Sequence, residues 1–216
     1  MTSLHYVDKN SEYPDSLRIL ICGVGGQGNL FLGKVITHII QLTPYMNTNI
    51  IKGEVHGMAQ KGGCVSSTFA CGNVYSPIFS SQSVDIMIAM EQNEALRPHY
   101  LNLLKPNATI ILNQFSITPI GQSQANIATQ EQILQRLDSF EVLPCNANQL
   151  APLNPNAAII GLLSSTFPFV SIPRDLWIRV FKKLSGTPAQ EQQNIDAFEC
   201  GRNELLVSLT KFSNIL

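Results

Sequence analysis

Apolar residues fall into short continuous runs that alternate with longer amphipathic stretches along most of the chain. Residues 18–22 form the first run, and a glycine cluster separates them from a helical pattern at about residues 29–41. Residues 84–90 are continuously apolar apart from Asp85, which is typical of a strand buried on both faces. This alternation of strand and helix predicts a mainly parallel sheet in a three-layer α/β domain.

The remaining pattern adds further elements and one departure from a purely parallel sheet. Residues 65–75 indicate a strand followed by a Gly72-Asn73 turn, so we expect antiparallel pairing there and a mixed sheet overall. Asn156 is placed to cap a fully apolar, buried helix. The other predicted strands cover residues 48–52, 108–112 and 141–143, the last stopped by Pro144; the other predicted helices cover residues 93–104, 131–140, 176–184 and 191–209; the polar residues 121–130 are predicted as a connection.

The glycine cluster after the first strand invites a ligand. Gly23, Gly25 and Gly28 have the G-x-G-x-x-G spacing between a predicted strand and a predicted helix. Glycine suits such a turn because a phosphate must approach bare N–H groups at the helix N-terminus, where a side chain would block it. The alternative is a tight strand-to-helix turn that binds nothing. We favour an anion site that uses the whole turn, including Gly26 and Gln27, in a Rossmann-like fold.

A second polar loop follows the second predicted strand. A dinucleotide site would need an acidic residue about twenty residues beyond the glycines, and the nearest candidate, Glu54, lies somewhat further along the chain. His56 follows at a strand end and can donate or accept a proton near neutral pH. Glu54 and His56 are therefore the candidate catalytic residues, although His56 could equally only pin the loop. Lys61, beside Gly62 and Gly63, could meet a phosphate or a partner carboxylate, or could be solvated.

Length and charge bound the class of protein. The 216 residues, 44% of them apolar, suit one domain at residues 17–216 after a flexible polar leader at residues 1–16. Only 13% of residues are charged and the net charge is −1, against about 25% charged residues in typical proteins. Low charge fits a surface that a partner covers, or else a surface on which uncharged polar residues replace charge. Near-neutral charge gives no basic footprint for nucleic acid.

The five cysteines, Cys22, Cys64, Cys71, Cys145 and Cys200, stand apart in the sequence. They form no C-x-x-C pair, so we expect neither a metal site nor an iron–sulfur cluster in this chain. Cys64 is expected to be a buried thiol and is left out of the site. The odd number of thiols, with no signal peptide and no membrane-spanning run, favours the cytoplasm.

The two glycine loops together resemble a known family. Residues 23–28 (Gly-Val-Gly-Gly-Gln-Gly) and residues 53–63 (Gly-Glu-Val-His-Gly-Met-Ala-Gln-Lys-Gly-Gly) closely resemble the gamma-type module of the 2-oxoacid:ferredoxin oxidoreductases, nearest to the indolepyruvate oxidoreductase beta subunit. Individually weaker matches lie at residues 85–91, 156–161 and 194–202. Cys64 departs from the family, where a small hydroxyl residue is more usual. The resemblance implies the fold of domain III of pyruvate:ferredoxin oxidoreductase.

The resemblance also implies a chemistry that this chain cannot perform alone. The family converts a 2-oxoacid and coenzyme A into an acyl-CoA and carbon dioxide, using thiamine diphosphate and iron–sulfur clusters to reduce ferredoxin. This chain has no Gly-Asp-Gly opening of a thiamine site, so a larger partner subunit is expected to carry thiamine and clusters. The glycine turn and Lys61-Gly62-Gly63 would then contact coenzyme A or shape the thiamine pocket. Two alternatives stay open: a stand-alone NAD(P)-dependent oxidoreductase and a purely structural interaction subunit.

Overall fold

A six-stranded mixed sheet forms the centre of the molecule, in a computed structural model that describes residues 14–56, 63–117 and 128–213. The strand order is β2-β3-β1-β4-β5-β6. The strands are β1 (Ser16–Val24), β2 (Asn49–His56), β3 (Cys64–Gly72), β4 (Val84–Ala89), β5 (Leu104–Asn113) and β6 (Glu141–Cys145). The helices are α1 (Asn29–Ile40), α2 (Pro98–Leu101), α3 (Gln130–Arg136), α4 (Ala147–Leu150), α5 (Pro155–Leu163), α6 (Arg174–Leu184) and α7 (Pro188–Ser213).

The order in which strands are added to the sheet changes direction at β1. From β1 the chain passes through α1 to the outer strand β2, and later strands are added on the other side of β1 in the order β4, β5, β6. β1, β4, β5 and β6 are parallel, whereas β3 is antiparallel to both β1 and β2. Parallel strands that diverge in this way leave a crevice at their carboxyl ends, which is where α/β proteins bind ligands. In this sheet the change of direction falls between β1 and β4, so the rule points to the carboxyl ends of these two strands.

Two apolar layers cover the two faces of the sheet, as the alternation along β1 requires. Leu17, Ile19 and Ile21 point to one cluster and Leu20 and Cys22 to the other. Helices α1, α5, α6 and α7 supply the first cluster, and α2 and α3 contribute to the second. The predicted three-layer α/β fold with a mixed sheet is thereby confirmed.

Close approach of α5 to α7 depends on two glycines, one on each helix. A methyl group on Gly201 would lie 1.9 Å from the Ala158 carbonyl oxygen, and one on Gly161 would lie 2.1 Å from the Phe198 carbonyl oxygen. Trp177 and Phe198 stack beside this contact, with ring centroids 5.8 Å apart. Since α5 is buried along its length from Ala157 to Leu163, as predicted, α7 acts as its outer cover.

Several predicted boundaries were wrong. The helix predicted over residues 93–104 is instead a 3-10 turn at Glu94–Leu96 followed by the single turn α2, because Pro98 starts a new helix. β5 begins at Leu104, before Pro106, at an irregularity in its pairing with β4. The helix predicted over residues 131–140 ends at Arg136, where Leu137 becomes its C-cap.

Two further predictions near the C-terminal half also need correction. β6 continues through Pro144 to Cys145, because an edge strand tolerates a residue that has no N–H. The N-cap of α5 is Asn154 and not Asn156. Most of the predicted connection at residues 121–130 and most of the predicted leader lie outside the described residues, although Ser16 already belongs to β1. No helix in the described part of the chain is long and apolar enough to cross a membrane.

Candidate functional site

The two glycine loops meet at the carboxyl edge of the sheet. The Gly25 N–H donates a hydrogen bond of 2.8 Å to the Gly63 carbonyl oxygen. β1 and β2 both run antiparallel to β3, so their carboxyl ends lie at the same edge. Gly63, the last residue of the second motif, therefore lies against the glycine turn after β1.

The inner side of the glycine turn is filled by the side chain of Gln27. Its Oε1 accepts a hydrogen bond of 2.7 Å from the Val24 N–H, and its Nε2 donates one of 3.2 Å to the Met90 carbonyl oxygen. A methyl group on Gly23 would lie 2.6 Å from Gln27 Oε1. A residue with a side chain at position 23 would therefore collide with Gln27. Gln27 in turn joins the glycine turn to the end of β4.

The outer side of the turn is open. Gly26 has φ +101°, and a methyl group there would meet no atom within 4 Å. Gly28 has φ +79° and is the N-cap of α1, and a methyl group on it would lie 2.2 Å from Asn156 Nδ2. Both positions need glycine for their backbone angles. Among the described residues, the Gly26 and Gly28 N–H groups donate no backbone hydrogen bond.

Buried polar side chains fix the loops on the β4 and β5 side of the crevice. Glu91, which is 3% exposed, accepts hydrogen bonds from the backbone N–H groups of Asn93, Glu94 and Ile117. Glu91 was not among the site residues predicted from the sequence. Its position directly after a buried strand could have indicated it, because a carboxylate there must find hydrogen-bond donors.

Asn113 makes a second buried connection at this edge. It is fully buried at the end of β5, and its Nδ2 donates to the Met90 carbonyl oxygen at 3.0 Å. Gln27 donates to the same oxygen. The ends of β1, β4 and β5 are thus held together by two amide side chains.

Cys64 lies beside the site without the properties of a nucleophile. Its Sγ is 3.1 Å from the Tyr100 hydroxyl. Burial, and then hydrogen bonding with Glu94, raises the pKa of the Cys64 thiol; burial, and then hydrogen bonding with Cys64, raises the pKa of Tyr100. A raised pKa keeps the thiol protonated at neutral pH, and the protonated form is a poor nucleophile. Leaving Cys64 out of the catalytic candidates is consistent with this environment.

The structure brings only some of the predicted site residues together. Gly23, Gly25, Gly26, Gln27, Gly28 and Gly63 are in one surface, whereas Lys61, Gly62 and the His56 side chain lie outside the described residues. Glu54 is exposed on β2, two strands away from β1, or about 10 Å at an interstrand spacing of about 4.8 Å. No group of three or more His, Cys, Asp or Glu residues in the described ranges is placed to hold a metal ion.

Similarity to known proteins accords with this geometry. Residues 18–204 match the pyruvate ferredoxin/flavodoxin oxidoreductase family. The indolepyruvate oxidoreductase subunit IorB of Archaeoglobus fulgidus is 33% identical over 166 residues, which cover 73% of this chain and 79% of that protein.

Solved structures share the fold at low sequence identity. The pyruvate oxidoreductase subunit PORC of Thermotoga maritima superposes with a TM-score of 0.64 at 14% identity, covering 87% of this chain and 96% of that chain. The 2-oxoglutarate:ferredoxin oxidoreductase of Magnetococcus marinus, solved with 2-oxoglutarate, coenzyme A and succinyl-CoA bound, gives 0.65 at 16% identity, covering 89% of this chain and 31% of that one. The resemblance of the two glycine loops is confirmed, and the chain belongs to the pyruvate ferredoxin/flavodoxin oxidoreductase family.

Proposed function

We propose that the chain is the gamma-type subunit of a 2-oxoacid:ferredoxin oxidoreductase that acts on an aryl pyruvate such as indolepyruvate. The enzyme would decarboxylate the 2-oxoacid oxidatively and transfer the acyl group to coenzyme A, with ferredoxin as electron acceptor. The name of the Archaeoglobus fulgidus relative supports the substrate class. Coenzyme A in the Magnetococcus marinus structure supports the cosubstrate.

The described residues offer no ligand set for an iron–sulfur cluster, and the sequence has no Gly-Asp-Gly opening of a thiamine site. The cysteines in the described ranges are dispersed, and Cys22, Cys71 and Cys145 are buried, with burial as the main cause of their raised pKa values. Cluster ligands are thiolates at close spacing. A partner subunit would therefore supply both groups, and this chain would be inactive alone.

The observation that carries the proposal is the hydrogen bond from Gly25 to Gly63, which joins the two family loops at the carboxyl end of β1. It brings together two residues that lie almost forty positions apart in the sequence. The role assigned to this surface is to complete the partner's active site. Its open amides would face coenzyme A or line the thiamine pocket, with Glu54 and His56 as candidates for contact.

The stand-alone NAD(P) alternative is weakened by the strand order. In a dinucleotide-binding fold the second strand is adjacent to the first, so that its acidic residue reaches the ribose beside the glycine turn. Here β3 lies between β1 and β2, and Glu54 is displaced by one further strand. Tight binding of NADH or NADPH by the isolated chain would favour this alternative over the proposal.

Co-purification tests the proposed function. A tagged chain expressed in its native host should bring down a larger subunit that contains thiamine diphosphate and absorbs visible light through iron–sulfur clusters. The purified assembly should reduce ferredoxin only when an aryl pyruvate and coenzyme A are both present. Recovery of the chain without such a partner would contradict the proposal. The purely structural alternative predicts that Gly25→Leu leaves the activity of the assembled enzyme intact.

A further inference from the structure

The outer strand β2 has a neighbouring strand on one side only in the described part of the chain. It pairs with β3 and is the first strand in the order of the sheet. The edge of such a strand presents N–H and C=O groups that another extended strand can satisfy. β2 has eight residues and no proline, whereas the opposite edge strand, β6, has five residues and contains Pro144, which cannot donate a hydrogen bond. Of the two edges, β2 is therefore the one that can accept a further strand.

Two opposite charges lie on β2, one on each side of Gly53. Lys52 and Glu54 are both exposed, and side chains two residues apart on a strand point to the same face of the sheet. That face is the one covered by α1, because a methyl group on Gly33 would lie 3.6 Å from Lys52 Nζ. The edge strand thus presents a positive and a negative side chain at equal distances from one glycine.

This symmetry makes the edge complementary to itself. When two copies of β2 pair in antiparallel fashion about a two-fold axis at Gly53, Lys52 of each copy lies directly opposite Glu54 of the other. Directly opposite side chains have Cβ atoms about 4.5–5.5 Å apart, and opposite charges at that separation stabilise the pairing. Moving the axis to Lys52 or to Glu54 would set like charges against each other, and parallel pairing in register would do the same. The charges therefore favour one arrangement.

An exposed apolar loop lies beside β2 on the other face of the sheet. Pro77 in this loop packs on the middle of the strand, since a methyl group on Gly53 would lie 2.9 Å from Pro77 Cβ. Tyr75 and Ile78, on either side of Pro77, are each 84% exposed, more than any other large apolar side chain in the described ranges. A second copy placed on the β2 edge would cover part of this apolar surface, which favours association in water.

We propose that the β2 edge is the interface of a homodimer, in which two copies of this chain pair through β2 about a two-fold axis at Gly53. Such an interface is isologous, so the contact between Lys52 and Glu54 occurs twice. The inference goes beyond the proposed function and does not rest on it, because β2 lies two strands away from β1 and its glycine turn. It assigns Glu54 to the contact between the two copies in place of the partner's active site.

Sedimentation equilibrium of the full-length chain tests the interface. The wild-type protein should have twice the mass of one chain and should dissociate on dilution. Lys52→Glu sets two carboxylates opposite each other at both contacts, so it should raise the dissociation constant of the dimer about tenfold or more. Lys183→Glu is the matched control, because it makes the same change of charge at an exposed position of α6. The control should leave the dissociation constant unchanged.

Reversal of both charges tests the register. Lys52→Glu/Glu54→Lys restores opposite charges across the axis and should return the dissociation constant towards the wild-type value. Ile78→Asp tests the apolar loop, and it should weaken the dimer while leaving the circular dichroism spectrum unchanged, because Ile78 is exposed in the single chain.

Three results would overturn the inference: a wild-type chain that stays monomeric, a dimer that Lys52→Glu leaves intact, and a double variant that associates no better than Lys52→Glu alone. If the wild-type chain is monomeric and Lys52→Glu prevents recovery of the thiamine-bearing subunit, the β2 edge binds that subunit and not a second copy. The mass measurements use this chain alone, so their failure is distinguishable from failure of the co-purification that tests the proposed function.

Discussion

The role of Gln27 in the glycine turn could be predicted from the sequence only in part. The sequence placed Gln27 with the glycines as a ligand-binding residue, and the structure uses its side chain to bond Val24 and Met90. The positive φ of Gly26 and Gly28 follows from the turn and was accessible to sequence reasoning. The contact with Met90 was not, because it joins residues 63 positions apart.

Replacement of Gln27 should destabilise the chain. Gln27→Leu removes the acceptor of the Val24 N–H and the donor to Met90, and should lower the free energy of unfolding by about 1–3 kcal/mol. Gln27→Glu keeps the acceptor but places a carboxylate oxygen against the Met90 carbonyl oxygen, so it should destabilise the chain as well. Urea denaturation followed by circular dichroism measures both. Wild-type stability in Gln27→Leu would show that the side chain does not hold the turn.

Two buried thiols should make stability depend on alkaline pH. Burial raises the pKa of Cys71 to about 12 and that of Cys145 to about 12, whereas a thiol in the unfolded chain ionises near 8.5. Between these values the unfolded state loses protons that the folded state keeps. Stability from these groups is therefore complete below about pH 8.5 and is lost progressively as the pH rises towards 12.

Removing the thiols isolates this effect. In a Cys71→Ala/Cys145→Ala variant, the free energy of unfolding measured by urea denaturation should fall less steeply from pH 8.5 to pH 10.5 than in the wild-type chain. The variant should be less stable than the wild-type chain at pH 8.5, because packing around the two thiols is lost. Cys200→Ala is the control, since Cys200 is exposed and should leave the slope unchanged. Equal slopes in all three proteins would mean that the two thiols ionise normally.

At the scale of elements, prediction succeeded where burial decided the pattern. β1, β4 and α5 appear where continuous apolar residues indicated them, and α1 appears where the helical pattern did. Prediction failed where a proline interrupted the hydrophobic pattern. Pro98 starts the short helix α2 and leaves the preceding residues in a 3-10 turn. Pro144 did not stop β6 because that strand lies at the edge of the sheet, a position that only the tertiary structure reveals.

Two glycine substitutions, one at the contact between α5 and α7 and one in α1, should change the stability of the chain in opposite directions. Gly201→Ala should destabilise the chain by about 1–3 kcal/mol or more, because the new methyl group would lie 1.9 Å from the Ala158 carbonyl oxygen. Gly33→Ala in α1 should stabilise it by about 0.5–1 kcal/mol through helix propensity, since its methyl group would approach only Lys52, at 3.6 Å. Thermal and urea denaturation of both variants provide the test. Stabilisation by Gly201→Ala would contradict the close packing of these helices.

At the scale of the whole molecule, the strand order determines what the site can be. Sequence patterns predicted a mixed sheet, but the insertion of β3 between β1 and β2 depends on pairings such as Ile19 with Phe69, fifty residues apart. The last pairing between β1 and β3, Val24 with Cys64, brings Gly25 next to Gly63. The surface that we assign to the partner's active site was therefore predictable as two loops and not as one site.

Exposed apolar side chains lie near both ends of the parallel strands, at the carboxyl edge and at the opposite, amino edge. Leu30 (55% exposed), Leu153 (77%) and Ile117 (37%) surround the carboxyl edge, where the glycine turn lies. Phe167 (55%) and Val170 (60%) lie towards the opposite edge. Either set could meet a partner, since interface cores are enriched in apolar residues. Only the first set is compatible with an active site completed by the glycine turn.

Hydrogen exchange followed by mass spectrometry, on the free chain and on its complex with the thiamine-bearing subunit, tests the central claim most directly. We predict slower exchange in the complex at residues 25–31 and 153–158, which form the carboxyl edge around the glycine turn. Residues 105–109 and 167–171, at the opposite edge, should exchange at the same rate in both samples. Slower exchange confined to the opposite edge would contradict the claim, because the glycine turn would then face away from the partner's active site.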